Sequence, residues 1–185
     1  MILSICIPSI TERAEKLCQL LKSLHAQAQG HPVEILALVD NKIMPLADKR
    51  NLLIEKATGT FVANLDDDDT VADNYILEIV KAATENLDAD VISFDQMAQL
   101  GQAIPFRVCT GINHECMPAT GTTIFRKPWH WCAWRTELAV KAKFTSAWNE
   151  DGLWLGQLWP LVKKECHIDK VLHHYNYNRT TTTFK

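Results

Sequence analysis

The chain has 185 residues, of which 47% are hydrophobic and 22% charged, and these proportions exclude an intrinsically disordered protein. Its formal net charge of -3 gives no overall positive field of the kind that draws a protein to nucleic acid or to an anionic membrane. No apolar segment approaches the ~20 residues of a transmembrane helix, and residues 1–8 are too short for a signal peptide. We therefore expect one domain over residues 1–185 and a cytoplasmic protein.

The first half of the chain alternates short β-rich segments with longer helical ones, which is typical of a parallel sheet with crossover helices. The predicted strands are residues 3–8, 33–39, 60–65 and 90–94. The predicted helices between them are residues 11–28, 46–57 and 72–84. After an irregular segment the predicted elements are a strand at 122–125, helices at 135–142 and 151–163, and a strand at 167–177. This order predicts an α/β fold with a mainly parallel central sheet between helical layers.

Four consecutive aspartates follow the predicted third strand, from Asp66 to Asp69. In α/β sheets, ligands bind at the carboxyl ends of the strands. Adjacent carboxylates repel one another unless a cation compensates them, and oxygen ligands suit Mg²⁺ or Mn²⁺. The alternative is an acidic turn that caps the next helix. The position directly after a buried strand favours the metal site.

Four segments stand along the chain in the order SICIPSITERAEKLCQLLKSL, VEILALVDNK, DKRNLLIEKATGTFVANLDDDD and WNEDGLWLGQL. As an ordered set they resemble the motifs of glycosyltransferase family 2. Members of that family have the GT-A fold, a Rossmann-like three-layer α/β/α architecture, and transfer sugars from nucleotide diphosphates, mostly with inversion. The resemblance implies that residues 1–95 bind the nucleotide sugar and that residues 96–185 bind the acceptor and carry the catalytic base.

The donor site that the resemblance implies begins in the loop after the first strand. The base and ribose of a nucleotide, usually a uridine nucleotide, would contact Pro8, Ser9, Thr11 and Glu12. Asp40 would bond the edge of the base, although a strand-ending turn residue is the alternative for this aspartate. The family commonly has a small polar residue and Gly-Ser after this position, where the chain has Asn41 and Lys42. The nucleoside therefore stays open.

The phosphate and metal contacts follow from the third motif. Arg50 would lie near the nucleotide, because a guanidinium can bind two oxygens of a phosphate; a solvated helix face is the alternative. Asp66 and Asp68 match the family's DxD positions. The resemblance makes Asp68 the direct ligand of Mn²⁺ or Mg²⁺ and places Asp66 near the ribose or the metal, with Asp67 among the nucleotide-sugar contacts.

The C-terminal segment HHYNYNRTTTTFK resembles the family's return toward the diphosphate. His174 would complete the metal shell, and Arg179 would close over the phosphates. Neighbouring residues of a strand point to opposite faces, so at most one of His173 and His174 should be a ligand.

The pair Glu150-Asp151 opens a predicted helix and matches the family's ED motif. Inverting transfer needs a base that takes the proton from the acceptor hydroxyl. The resemblance assigns this role to Asp151 and a supporting role to Glu150. Stabilisation of the first helical turn by acidic residues is the alternative.

The acceptor is not identified by the sequence and can be a glycan, a small molecule or a modified nucleic-acid base. Trp129 and Trp131 are candidates for an aromatic platform that stacks on it, with core packing as the alternative. A sugar nucleotidyltransferase would be expected to have a glycine-rich loop after its first strand, and PSITERAEK contains no glycine. A binding module without turnover is a further alternative, against which the retained acidic residues argue.

Overall fold

The computed structural model describes residues 1–116 and 122–177, except for the side chain of Asn176. The described residues form nine strands: Leu3–Ile10 (β1), Val33–Asp40 (β2), Phe61–Asn64 (β3), Thr70–Val71 (β4), Val91–Leu100 (β5), Phe106–Thr110 (β6), Thr123–Arg126 (β7), Ala133–Arg135 (β8) and Glu165–Tyr177 (β9). Their α-helices are Ala14–Gln27 (α1), Leu46–Lys56 (α2), Tyr75–Glu85 (α3), Thr136–Ala139 (α4) and Glu150–Leu158 (α5). Single 3₁₀ turns lie at Thr11–Arg13 and Trp159–Leu161.

The first three long strands form the parallel half of one mixed sheet. β1 lies between β2 and β3 and runs parallel to both. Its residues from Leu3 to Ser9 are all buried, which explains why the segment is nearly continuous in apolar residues rather than alternating. The βα pattern of the sequence therefore predicts this half of the fold correctly, and the α/β fold class is confirmed.

The second half adds antiparallel strands to the sheet. β8 pairs antiparallel with β3 on one side and with the start of β5 on the other. β5 pairs along its length with the parallel strand β9, while its other edge pairs with β8 and then with β6. The segment 97–116, which has an irregular sequence pattern, contains the end of β5 and all of β6. Long-range pairing, which local composition does not reveal, extends both strands.

The short strand β4 pairs with β9, so that Thr70 faces His174 and Val71 faces His173. This pairing brings the C-terminal histidines beside the segment that contains the four aspartates. It therefore explains how two segments about a hundred residues apart approach one another.

An aromatic cluster anchors α5 in the core. Trp154 on this helix is fully buried, stacks on Phe144 with ring centroids 4.7 Å apart, and meets Trp134 edge-on at 5.8 Å. The first turn of α5, which carries Glu150 and Asp151, is thereby held against the sheet. None of the helices in the described part of the chain has both the length and the hydrophobicity that a membrane span requires.

Candidate functional site

A cleft of about 660 Å³ opens at the carboxyl ends of β1 and β3. Its walls come from the loop after β1, the segment between β2 and α2, the aspartates after β3, and the start of α5. Eight residues predicted from the sequence line it: Pro8, Ser9, Arg50, Asp66, Asp67, Asp68, Glu150 and Asp151. Residues that are far apart in the sequence therefore meet in one cleft.

Arg50 connects two sides of this cleft. Its side chain is 1% exposed, and its Nη2 lies 2.8 Å from Asp66 Oδ1 and 3.6 Å from Asp151 Oδ1. Burial alone would lower the pKa of this guanidinium, but the nearby carboxylates of Asp151 and Asp66 raise it above its usual value. Among the described residues, Arg50 Nε and Nη1 have no hydrogen-bond partner. A buried cation with spare donors can bind an anion such as a phosphate.

Asp66 is held in its charged form by its surroundings. Burial would raise the pKa of the carboxyl, but the positive charges around it, of which Arg50 is the strongest, together outweigh this effect and lower the pKa. The backbone N–H of Asp66 donates to Asp69 Oδ2 at 3.0 Å. Asp66 therefore presents a carboxylate, rather than a carboxylic acid, at the cleft.

Asp67 and Asp69 are buried and fix the aspartate segment to its neighbours. Ser9 Oγ donates to Asp67 at 2.6 Å, and Arg13 Nη1 donates to the same carboxylate at 2.7 Å. His173 Nε2 lies 2.9 Å from Asp69 Oδ2. Both carboxylates are thus bonded within the protein, and the predicted nucleotide-sugar contact of Asp67, which lines the cleft, stays a prediction.

Asp68 has the weakest contacts of the four. Among the described residues, the cations that pair with it are Arg13 at 3.6 Å and Lys16 at 3.7 Å, and its side chain is 21% exposed. Burial raises the pKa of its carboxyl, and repulsion by the neighbouring aspartates raises it further against the effect of Arg13. A bound divalent cation would relieve this repulsion, so Asp68 and Asp66 fit a hard metal ion with oxygen ligands.

The predicted contribution of His174 to that metal is not supported by a preformed ligand group. Within residues 1–116 and 122–177, the one group of three closely spaced metal-binding side chains is Asp95, His167 and Asp169. That group is outside the cleft lining and is already bridged by Arg107, which lies 2.6 Å from each of the two aspartates. His174 as a ligand stays a prediction, and Arg179 lies outside the described residues.

Asp40 organises the wall of the cleft next to β2. Lys49 Nζ donates to its carboxylate, as do the backbone N–H groups of Met44 at 2.6 Å and Lys42 at 3.1 Å. These hydrogen bonds, above all that from Lys49, lower the pKa of Asp40 to about 2. The carboxylate oxygens of Asp40 are therefore already hydrogen-bonded within the protein, and they hold the turn in which Lys42 adopts a φ of 61°.

Thr11 and Glu12 lie beside this turn and not among the residues that line the cleft. Thr11 Oγ1 donates to the backbone oxygen of Asp40 at 3.2 Å, and Glu12 pairs with Lys42 at 2.5 Å. Both side chains are exposed. Their predicted nucleotide contacts stay predictions.

The start of α5 places its two acidic residues in the cleft. Asp151 Oδ1 faces Arg50, and Asp151 Oδ2 lies 3.4 Å from His130 Nδ1. Burial, followed by repulsion from Asp151, raises the pKa of Glu150. His130 is not among the site residues predicted from the sequence, where it stands only as the residue between the two tryptophans of the candidate acceptor platform.

The two tryptophans predicted to bind the acceptor are not at the cleft. Trp131 is 4% exposed and stacks on His173 with centroids 5.3 Å apart, so core packing describes it. Trp129 is half-buried and lies under the guanidinium of Arg126 at 3.4 Å. Trp148, which has no assigned role in the sequence analysis, is 87% exposed and lines the cleft.

Comparisons with known proteins agree with this fold. Residues 45–99 match the family model described as glycosyl transferase family 2. Among curated proteins, none matches the chain. The crystal structure of S. aureus TarS 1-349 resembles it with 16% identity and a TM-score of 0.67, over 95% of this chain and 60% of that one. TarS 1-349 in complex with UDP-GlcNAc gives 15% identity and a TM-score of 0.68, over 100% of this chain and 62% of that one.

A mixed sheet with flanking helices and a cleft at the strand ends defines this protein as a GT-A fold. The segment that matches the model of glycosyltransferase family 2 runs from α2 into β5 and includes Arg50 and the four aspartates. At the identities observed, the likeness to TarS establishes the fold alone. The chain spans about three-fifths of the length of the TarS 1-349 structures.

Proposed function

We propose that this protein transfers a sugar, with inversion, from a nucleotide diphosphate donor to an acceptor hydroxyl, and that the reaction depends on a divalent metal. The observation that carries the proposal is the arrangement of Arg50 between Asp66 and Asp151 in one cleft. This arrangement supports the proposal because a guanidinium that could bind phosphate, a carboxylate that could bind a metal ion and a carboxylate that could act as a base line the same cleft.

The donor is a UDP-sugar bound mainly by the residues of the 1–95 half. Ser9 and Pro8 line the cleft where base and ribose would lie, and Arg50, which lines the same cleft, would supply positive charge for the diphosphate. The complex of TarS with UDP-GlcNAc supports a uridine nucleotide, because that neighbour shares the fold over the whole of this chain. Asp40 acts indirectly by holding the turn at residues 42–44.

Mn²⁺ or Mg²⁺ would be held by Asp68 and Asp66, with His174 as a further candidate. When bound, the ion supplies positive charge that stabilises the leaving diphosphate. Asp67 and Asp69 keep the aspartate segment in place for it. Two observations support this site. Repulsion between the carboxylates contributes to the raised pKa of Asp68, and the carboxylate oxygens of Asp66 and Asp68 are ligands that these ions prefer.

Asp151 takes the proton from the acceptor hydroxyl as its oxygen attacks the anomeric carbon. The carboxylate is partly exposed to the cleft and is oriented by the first turn of α5. Glu150 supports it from the same turn. On the acceptor side, exposed Trp148 is a better stacking surface than Trp129 or Trp131, because an exposed ring is open to the apolar face of a sugar or a base.

The test is calorimetric titration of UDP, UDP-sugars and other nucleotide diphosphates into the protein, with Mn²⁺ and then with chelator. We expect metal-dependent binding of a uridine nucleotide that Asp68→Asn weakens strongly. Asp73→Asn is the matched control, since Asp73 is an exposed aspartate of the same segment that does not line the cleft. If no nucleotide binds, or if both variants behave alike, the proposed function is wrong.

The same samples distinguish a glycosyltransferase from the two alternative functions, a binding module without turnover and a sugar nucleotidyltransferase. A glycosyltransferase releases UDP from a UDP-sugar, to an acceptor or slowly to water, and Asp151→Asn abolishes this release while binding persists. A binding module without turnover releases no UDP even as wild type. A sugar nucleotidyltransferase would instead form pyrophosphate from UTP and a sugar phosphate.

A further inference from the structure

His130 is a buried histidine beside the proposed general base. It is 5% exposed, and its Nδ1 lies 3.4 Å from Asp151 Oδ2, while the other oxygen of Asp151 lies 3.6 Å from Arg50 Nη2. The carboxylate of Asp151 is thus bracketed by two buried side chains from different parts of the chain.

The histidine ring is itself held firmly. It meets Trp131 edge-on with centroids 5.5 Å apart and lies 6.5 Å from Trp129. The backbone oxygen of His130 accepts a hydrogen bond from the N–H of Asn64 at 3.3 Å, which ties this loop to the end of β3. Because the ring is fixed, it can restrain the orientation of the more exposed carboxylate of Asp151.

The charge of His130 suits such a role. Burial lowers the pKa of its imidazole, against the opposing effect of Asp151, so the ring is neutral near pH 7. A neutral ring with its hydrogen on Nδ1 donates one hydrogen bond and orients the carboxylate without adding a positive charge beside the base. The other charged groups that act on His130 are Arg50 on α2 and, from the segment after β3, Asp66 and Asp69.

The distance leaves room for the contact to tighten. His130 Nδ1 has no hydrogen-bond partner among the residues that the structure describes, so its approach to Asp151 Oδ2 is not yet a formed hydrogen bond. A separation of 3.4 Å is slightly longer than a hydrogen bond, and hydrogen bonds of catalytic groups commonly shorten when the ligand binds.

We propose that His130 is a positioning residue that holds Asp151, through Nδ1–H, in the orientation needed to accept the proton of the acceptor hydroxyl. This inference rests on the proposed function, in which Asp151 is the base. It predicts that the loss of the hydrogen-bond donor at Nδ1 slows proton transfer and leaves the binding of the nucleotide sugar intact.

Two substitutions of His130 test whether the position of the hydrogen-bond donor matters, because both introduce an amide but place its nitrogen differently. An asparagine amide nitrogen lies near the position of Nδ1, whereas a glutamine amide nitrogen lies near that of Nε2. We therefore expect His130→Gln to lower kcat for UDP release from a UDP-sugar by roughly 10- to 100-fold, with KM for the donor little changed. His130→Asn should recover most of this loss. His25→Asn, on an exposed helical position, is the control for the exchange itself.

The pH profile adds a readout that a purely structural role would not move. If His130 positions the base, the acid limb of the kcat profile should move in His130→Gln and return toward its wild-type position in His130→Asn. The positioning role would be overturned if both His130 variants had the kcat and the acid limb of wild type. If Asp151→Asn were inactive in the same assay, the proposed function would still stand.

A spectroscopic measurement tests the contact even if no donor is turned over. In protein labelled with ¹⁵N in its histidines, the His130 ring should show hydrogen on Nδ1, and its ¹⁵N shifts should change in Asp151→Ala. A ring with hydrogen on Nε2 that does not respond to Asp151→Ala would refute the inference. If the shifts respond but no nucleotide binds, the contact stands and the proposed function fails.

Discussion

Arg50 Nη2 of α2 lies 2.8 Å from Asp66 Oδ1 at the end of β3, and the guanidinium that makes this contact is almost completely buried. The second carboxylate near the same nitrogen, that of Asp151, belongs to α5. One side chain thus joins the two halves of the cleft. Its removal should affect stability and ligand binding together.

Arg50→Ala should lower the free energy of unfolding by about 3 kcal/mol, because it leaves the carboxylates of Asp66 and Asp151 without their buried counter-charge. The value is at the low end for a broken buried pair, since the Asp66 side chain keeps 31% exposure. Urea denaturation measures it. Lys143→Ala, which breaks the exposed pair with Glu55, is the control and should change stability little. Equal effects of the two substitutions would contradict this account.

Asp40 should make stability depend on pH in the acid range. Its folded-state pKa of about 2 lies below the ordinary value of 3.8, so its contribution is complete above pH 4 and disappears as the pH falls toward 2. Urea denaturation at pH 6 and at pH 3 should therefore show a larger difference between wild type and Asp40→Asn at pH 6. Lys49→Met removes the main cause of the shift and should flatten the same dependence. A difference that does not shrink at low pH would argue against this role.

Gly59 should tolerate no side chain. A Cβ at this position would lie 2.6 Å from the backbone nitrogen of Ser4 and 2.8 Å from the carbonyl carbon of Leu3, so β1 itself would have to move. Gly59→Ala should cost about 1–3 kcal/mol in thermal or urea unfolding. Gly156→Ala is the matched control: a Cβ there meets nothing within 4 Å, and the change should stabilise α5 by roughly 0.5–1 kcal/mol. The reverse order of the two variants would refute the packing argument.

Substitution of Trp148 should impair acceptor use without lowering stability, whereas substitution of Trp154 should lower stability. Trp148→Ala should leave the melting temperature unchanged, since the side chain is 87% exposed. In initial-rate assays with the best acceptor of a glycan panel, it should reduce kcat/KM for the acceptor by roughly two- to tenfold, the size of a ring-stacking contact. The affinity for UDP should stay the same. Unchanged acceptor kinetics would remove Trp148 from the acceptor site.

Trp154→Ala provides the contrasting case. The ring is fully buried between Phe144 and Trp134, and its loss should destabilise the protein by about 3–5 kcal/mol. Urea denaturation gives the value directly. A stability close to that of wild type would mean that the aromatic cluster does not anchor α5.

The parallel part of the fold and the location of the cleft were accessible from local pattern. A buried apolar strand that ends in carboxylates indicates a ligand-binding edge, and parallel strands put their carboxyl ends at the same edge. This reasoning places Asp66 at the cleft, whereas Ser9 was assigned to the same site by the resemblance to glycosyltransferase family 2; both line the cleft. The antiparallel strand β8 was missed: residues 133–135 are short and pair with β3 and β5, which are distant in the chain.

The sequence by itself determined which segments are buried strands, where the carboxylates follow them, and that an acidic pair begins α5, because hydrophobic period and residue chemistry are local properties. Only the tertiary structure decided that His130 faces Asp151, that Trp131 lies in the core while Trp148 is exposed, and that His173 rather than His174 contacts Asp69. Those outcomes depend on how distant strands pair and how side chains fill the space between them. Neither is encoded in the order of neighbouring residues.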